Sequence, residues 1–396
     1  MSMLGTAVSS VAIPIAAVVS LRASPAEMGI LSALGTFPDL LFRLPAGVFA
    51  DRTRRGASIL ILCDALRASL LAGVVVLSVF HVLTFWALLG IVALSSSITA
   101  LFQTLGAPFI LRLAPNVDLA RRNGILGTAN AIARVAGPTL AAGLIAIVGP
   151  LKSVAVDALS FLVSALALIK IYSLIREPKE PIEPTDSAAG GTAPRGWGLA
   201  ALFGIRDLRS PLVSSGIITG ANGAIAAILV LYLVRDVHLS ATTVALLFAF
   251  GSAGGVVGAA SSSKIASRMD VRILPALLLG ALSLSLDALV IPAQDNIVGL
   301  IPVAMYEFLG GGCAALFVLI VITEVQKHSD LRMIGRTMSA LAVTVEVPAV
   351  IGSLAGGFFA EHIGFRSVIV WSAVIGTIGA AASICWSVYG KVRDPK

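Results

Sequence analysis

The feature that most constrains this chain is the recurrence of long apolar runs. Twelve stretches are each about long enough to cross a bilayer as a helix, which takes roughly 18 to 25 residues. They cover residues 3–21, 26–50, 57–80, 84–111, 123–149, 153–174, 210–234, 241–263, 271–291, 297–323, 333–358 and 364–388. Charged residues make up 12% of the 396, against about 25% in a soluble domain. An aqueous fold cannot cover that much apolar surface, so lipid is the solvent. In hydrocarbon every backbone polar group needs a partner within the protein, and runs of this length satisfy that as helices. The expected class is an all-α integral membrane protein with 12 transmembrane helices in two pseudo-symmetric six-helix bundles.

The net charge of +7 does not mark a nucleic-acid surface. The bases recur in short turns between apolar runs, which is the pattern of membrane topology. Of the 28 Lys and Arg residues, 21 fall on one side and four on the other, namely Arg22, Lys152, Arg235 and Arg366. The richer side is cytoplasmic by this rule, with both termini inside. No basic segment precedes the first run, so no cleavable signal peptide is expected. Cys63, Cys313 and Cys385 lie in apolar runs without paired spacing, and His81, His238, His328 and His362 lie in or beside turns. Neither disulfides, a metal nor a cofactor is implied.

Residues 175–197 break the pattern with proline, charge and then a Gly/Ala/Pro stretch, the composition of a flexible linker. The domains expected are an N-terminal six-helix bundle over 1–174, a cytoplasmic linker with an interfacial helix over 175–209, and a C-terminal bundle over 210–396. The halves also echo each other. Arg121 and Gly137 to Gly149 recur 215 residues later as Arg336 and Gly352 to Gly364.

One turn carries most of the specific information. After the second run comes Gly47-x-x-x-Asp51-Arg52-x-x-Arg55. By residue chemistry alone this is a basic turn between two membrane helices. Its spacing resembles the loop 2–3 signature of the major facilitator superfamily, although Arg54 and Gly56 depart from that pattern. Val11 to Pro14, Asp64 to Ala68, Asn123 to Asn130, Gly137-Pro138 and Asp157 to Phe161 resemble the enterobactin-exporter and macrolide-efflux branch. That resemblance implies secondary active export of an amphiphilic small molecule from a bacterial cytoplasm, by a protein of the inner membrane. It also implies that Asp51 meets the start of span eleven near Gly335, where a helix N-terminus favours an anion. Gly137 and Pro138 read as a local helix bend, since proline removes a backbone hydrogen bond; an ordinary tolerated membrane proline is the alternative.

Charges inside spans are the most informative single residues, because an unpaired, dry charge in hydrocarbon is costly. Asp39 and Arg43 share a face of span two, and Asp64 and Arg67 share a face of span three. Matching depth allows an Arg43–Asp64 bridge across that hairpin. These read either as a gate network or as a static clamp. Arg134, roughly 16 Å into span five at 1.5 Å per residue, lies at a depth similar to Glu307 and Glu346. Asp157 and Asp287 lie nearer the outer face. Burial favours the neutral form of a carboxyl group, so Glu307 and Glu346 are candidate proton carriers, Arg134 a candidate anion anchor, and Asp39, Arg43 and Asp157 further candidates for coupling or the substrate cavity. Each has a structural reading as a buried pair.

No P-loop, phosphate cradle or nucleophile–base pair is present, so an enzyme is not expected. The favoured function is proton-antiport efflux of a drug-, macrolide- or siderophore-type amphiphile by alternating access, with substrate, protons and lipid as partners and a monomer as the assembly. Two rivals stay open: an uncoupled or importing facilitator for a sugar or metabolite, and a non-transporting membrane partner or sensor.

Overall fold

The computed structural model of the chain describes residues 2–43, 56–113, 119–174, 197–205, 208–270, 273–328 and 334–393. Twelve long helices account for most of them: α1 Ser2–Val19, α2 Pro25–Arg43, α3 Gly56–Val79, α4 Phe85–Leu113, α5 Leu119–Val148, α6 Ala155–Leu174, α7 Arg209–Leu231, α8 Ala241–Ala266, α9 Leu274–Ala288, α10 Ile297–His328, α11 Ile334–Ile363 and α12 Phe365–Arg393. The expected runs and these helices agree closely. A helical turn, Pro150–Ser153, precedes α6, and a short helix, Trp197–Gly204, precedes α7. That short helix packs against α11 with Leu202 fully buried.

Three ends differ from the apolar pattern. Helix α9 spans 15 residues, or about 22 Å at 1.5 Å per residue, where the run over 271–291 suggested a full crossing. Pro292 disfavours helix at Ile291, and α10 then starts at a new cap. Helices α10 and α11 run past the expected ends at 323 and 358. On α10 the extra turn is polar and self-paired, with Lys327 Nζ donating to Glu324 at 2.7 Å.

The internal duplication is visible in the turns. Arg22 and His238 both adopt left-handed backbone, with φ of 53° and 62°. In each turn an amide reaches back six residues: Ala23 N to Ala17 O, and Leu239 N to Leu233 O, both at 2.9 Å. A serine then starts the next helix. Ser24 and Glu27 form a reciprocal capping box on α2, and Ser240 accepts from Thr243 N on α8. Thr84 caps α4 and Asn296 caps α10 in the same way. Gly149 and Gly364 both turn at φ 83°, a conformation that glycine adopts without steric cost.

Contacts divide the chain into two units. The first holds residues 1–16 and 34–194, with α3 packed on α6 and α4. The second holds 17–33 and 195–396, so it includes the turn between α1 and α2 and the start of α2. Its most extensive pairings are α8 on α10 and α7 on α11, followed by α7 on α12, α9 on α10 and α9 on α12. Small residues allow the first two. A Cβ at Gly254 of α8 would lie 2.8 Å from the Phe308 carbonyl carbon, and one at Gly352 of α11 would lie 2.7 Å from that of Gly220. Backbones this close gain dispersion contact that larger side chains would prevent.

Candidate functional site

A buried ionic centre lies in the first unit, where α1, α3 and α6 meet. Asp64 and Arg67, one turn apart on α3, are 1% and 5% exposed. Arg67 Nη1 stands 4.0 Å from Asp64 Oδ1, and its guanidinium lies 3.6 Å from the centre of the Phe161 ring on α6. Asp157, also on α6, is 2% exposed. Its Oδ1 accepts from Thr6 Oγ1 of α1 at 3.5 Å and from Ser160 Oγ at 3.3 Å. Gly5 lets α1 come this near, since a Cβ there would lie 2.8 Å from Asp157 Cα. The guanidinium interacts electrostatically with both carboxylates.

The centre is incompletely satisfied. No hydrogen bond of normal geometry reaches either Asp64 oxygen or Arg67 Nε, while the Ser164 hydroxyl interacts with Asp64 and the Ser9 hydroxyl with Asp157 at looser geometry. Such groups, buried and dry, destabilise the fold by a few kcal/mol, roughly 1–3 each.

Arg134 stands apart on α5 and is exposed. Ala133, Gly137, Pro138, Ala141 and Ile145 define the packed side of that helix; Ile132, Leu140 and Ile147 define the exposed apolar side. At about 100° per residue, Arg134 falls within the packed arc, roughly opposite the apolar one. Arg134 is thus an exposed residue in the angular sector of α5 that holds its buried residues. Helix α5 is continuous through Pro138, and Gly137 is buried where it packs on Ala7 of α1.

In the second unit, Glu307 is half-buried on α10 and faces α8. Its Oε2 occupies the notch left by Gly251, where a Cβ would also lie 3.2 Å from the Glu307 Cβ. The neighbouring Tyr306 donates to Asn222 of α7 at 2.8 Å. Glu346 is half-buried on α11, just before Pro348. Asp287 of α9 accepts from Thr377 of α12 at 3.0 and 3.1 Å.

The same unit holds a cavity of ≈ 970 Å³ between α7, α11 and α12. It is an open groove with an almost wholly apolar lining, in which Ile217, Ile351, Phe359 and Trp371 are exposed, Gly216 and Gly220 leave room along α7, and Thr344 and Ser372 bring hydroxyls. A cavity of this size and lining suits a drug-sized ligand.

The α1–α2 turn is latched onto this unit. Arg235, from the π-helical turn ending α7, donates to Ala23 O at 2.7 Å. Ala26 N donates to Glu361 Oε2 at 3.1 Å, and Ser32 and Ser353 share a hydrogen bond at 3.2 Å. Between them a Cβ at Gly357 would lie 2.8 Å from Gly29 Cα.

A family model described as the Major Facilitator Superfamily matches residues 1–345. The chain belongs to the major facilitator superfamily. Comparison with curated protein sequences yields no significant match. Solved structures agree on the fold of this facilitator. A point mutant of the nucleoside transporter NupG superposes with a TM-score of 0.75 at 14% identity, covering 97% of both chains. A bacterial homologue of the iron transporter ferroportin, inward-facing, gives 0.73 at 16% identity, covering 98% of this chain and 96% of that one. A bacterial homologue of the human lysosomal transporter Spinster gives 0.68 at 17% identity, covering 98% and 95%. The facilitator is thus a multi-pass membrane transporter, not an enzyme.

Of the facilitator's residues singled out by sequence, Asp64, Arg67 and Asp157 come together, while Arg134, Glu307 and Glu346 occupy separate helices. Gly47, Asp51, Arg52 and Arg55 lie outside the described residues, as do the side chains of Asp39 and Arg43. Four participants escaped the sequence reading: Phe161 as the platform for Arg67, Gly5, Gly251, and the Ser32–Ser353 pair. Glycines at close approaches could have been flagged by their recurrence in spans; the serine pair has no local signal.

Proposed function

We propose that the protein is a secondary transporter of the enterobactin-exporter and macrolide-efflux type, exporting a small amphiphile in exchange for protons by alternating access. The observation that supports this most is the apolar cavity of ≈ 970 Å³ with two hydroxyls in its wall. Such a surface gains free energy from alkyl and aromatic groups, at about 25 cal/mol per Å² buried, and offers little to a sugar. Membrane-embedded Asp64, Asp157, Glu307 and Glu346 supply groups able to carry protons, and Arg134 an accessible positive charge for an anionic cargo group. Residues 1–174 and 210–396 act as the two halves, and the Gly47 to Arg55 turn, with Asp51, closes the cytoplasmic side. The protein sits in a bacterial inner membrane with both termini in the cytoplasm, an orientation that the basic turns support, and the working unit is a monomer.

Flux of fluorescent amphiphiles into inverted vesicles, with and without an imposed pH step, tests the proposal. Accumulation that requires the pH step is expected. Flux of sugars or nucleosides that ignores the step, with no amphiphile moved, would overturn it.

A further inference from the structure

The duplication supplies a control for the buried ionic centre. Helix pair α3–α6 of the first half corresponds to α9–α12 of the second, and both pairs pack extensively. Taking the 212- to 216-residue offsets of the matched caps and turns, Asp64 and Arg67 map onto residues 276–283, and Asp157 onto 369–373. Those stretches hold no ionisable residue. The second pair is joined instead by a hydroxyl contact, with Ser283 and Thr377 3.2 Å apart, and by one carboxylate further along α9, Asp287, which accepts from Thr377. The second half therefore makes this helix pairing with a lone carboxylate and, among the described residues, no ion pair, so the arginine-centred triad of the first half is not a requirement of packing.

Charge counting then limits what the centre holds. Asp64 and Asp157 flank one guanidinium, so the fully ionised set carries a net charge of −1 among side chains no more than 5% exposed. Among the described residues no second cation faces it; the Arg43 side chain, the one expected alternative partner of Asp64, lies outside them. Helix α1 brings the hydroxyls of Thr6 and Ser9; α3 adds the Cys63 thiol; α6 adds Ser160 and Ser164; α4, packed on α3, has no ionisable residue over 85–103; Lys152, before α6, is exposed. An uncompensated buried charge is strongly unfavourable, and two carboxylates sharing one counter-charge titrate as a unit. Within this centre both Asp64 oxygens and Arg67 Nε lack hydrogen-bond partners of normal geometry.

We propose that Asp64, Arg67 and Asp157 form the proton-carrying site of the transport cycle, holding one proton on the carboxylate pair. The site rests on the proton-exchange reading above and locates its proton in the first half, on α3 and α6, not on Glu307 or Glu346. On loading, water delivers a proton and one carboxyl O–H bond forms, taking the centre from −1 to neutral. On unloading, that bond breaks and the proton returns to water. Helix α1 covers Asp157 through Gly5 and Thr6, so withdrawal of α1 opens the carboxyl to exchange.

The test uses the full chain in proteoliposomes, comparing wild type with Asp64→Asn, Asp157→Asn and the conservative Asp157→Glu. For exchange of one proton per neutral amphiphile, wild-type accumulation rises by about tenfold per unit of pH difference. The two Asn variants are expected to lose that dependence while keeping substrate counterflow without a gradient, and Asp157→Glu to retain it. A pH-driven wild type whose Asn variants are driven equally well would overturn the site and leave the function standing. A wild type with no pH response would overturn the function. A second readout needs no variant: infrared difference spectra of wild type between acid and alkaline pH should show a carboxylic-acid band that shifts with carbon-13-labelled aspartate. A band that shifts only with labelled glutamate would overturn the site.

Discussion

The guanidinium of Arg67 lies 3.6 Å from the centre of the Phe161 ring, so a cation buried between two membrane helices rests on an aromatic face. Desolvated cation–π contacts of this kind are worth about 2 kcal/mol. Phe161→Leu keeps the apolar volume and removes the quadrupole; a loss of that size is expected in equilibrium unfolding of the purified protein in mild detergent.

Removing the cation should do more harm. Arg67→Ala leaves two buried carboxylates without their counter-charge, and truncating one partner of a buried ionic group typically costs about 3–5 kcal/mol. The double variant Arg67→Ala with Asp64→Asn leaves Asp157 as the one charged group, returning the centre to the wild-type net charge of −1, and should recover part of the loss. A double-mutant cycle on unfolding midpoints measures the coupling; additive losses would show that Arg67 and Asp64 act independently.

The α1–α2 turn and α11 should lock when tied. Ser32 Oγ and Ser353 Oγ are 3.2 Å apart, so Ser32→Cys with Ser353→Cys is expected to form a disulfide under mild oxidation, with Cys63, Cys313 and Cys385 replaced. Substrate flux in vesicles should fall several-fold on oxidation and return on reduction.

At its tightest points the α8–α10 seam has no room for a side chain. A Cβ at Gly258 would lie 2.8 Å from the Gly312 carbonyl carbon, which is backbone and cannot rotate away. Gly258→Val is expected to destabilise by at least the 1–3 kcal/mol typical of overpacking, read as a lowered unfolding temperature. Gly255, whose nearest neighbour across the seam would stand 3.6 Å away, should accept alanine with little effect.

Filling the apolar cavity tests its role in cargo binding. Ala355 lines it between α7 and α12. Ala355→Phe should raise the KM for amphiphiles several-fold, more for bulky cargo than for small, with kcat less affected. An unchanged KM across a size series would show that cargo binds elsewhere.

Much of this architecture was legible in the residues. Twelve apolar runs met twelve helices because lipid leaves so few ways to satisfy a backbone, and the Gly149–Gly364 repeat reappeared as two turns of identical φ. Span nine read too long because hydropathy alone does not register that Pro292 ends helix at Ile291. At the site, Asp64, Arg67 and Asp157 were visible as charges in greasy surroundings, but their meeting was not. Asp64 and Arg67 declare themselves by spacing on one helix, whereas Asp157 joins them through the packing of α6 on α3. The Ser32–Ser353 contact was invisible for the same reason: 321 residues separate partners that only tertiary structure brings together.

The most direct measurement is amphiphile accumulation in inverted membrane vesicles against an imposed pH difference, with the electrical potential clamped. Wild-type accumulation should follow the pH difference, collapse when a protonophore is added, and leave sugars unmoved. Accumulation indifferent to both pH and protonophore, or absent for every amphiphile tested, would contradict proton-driven export.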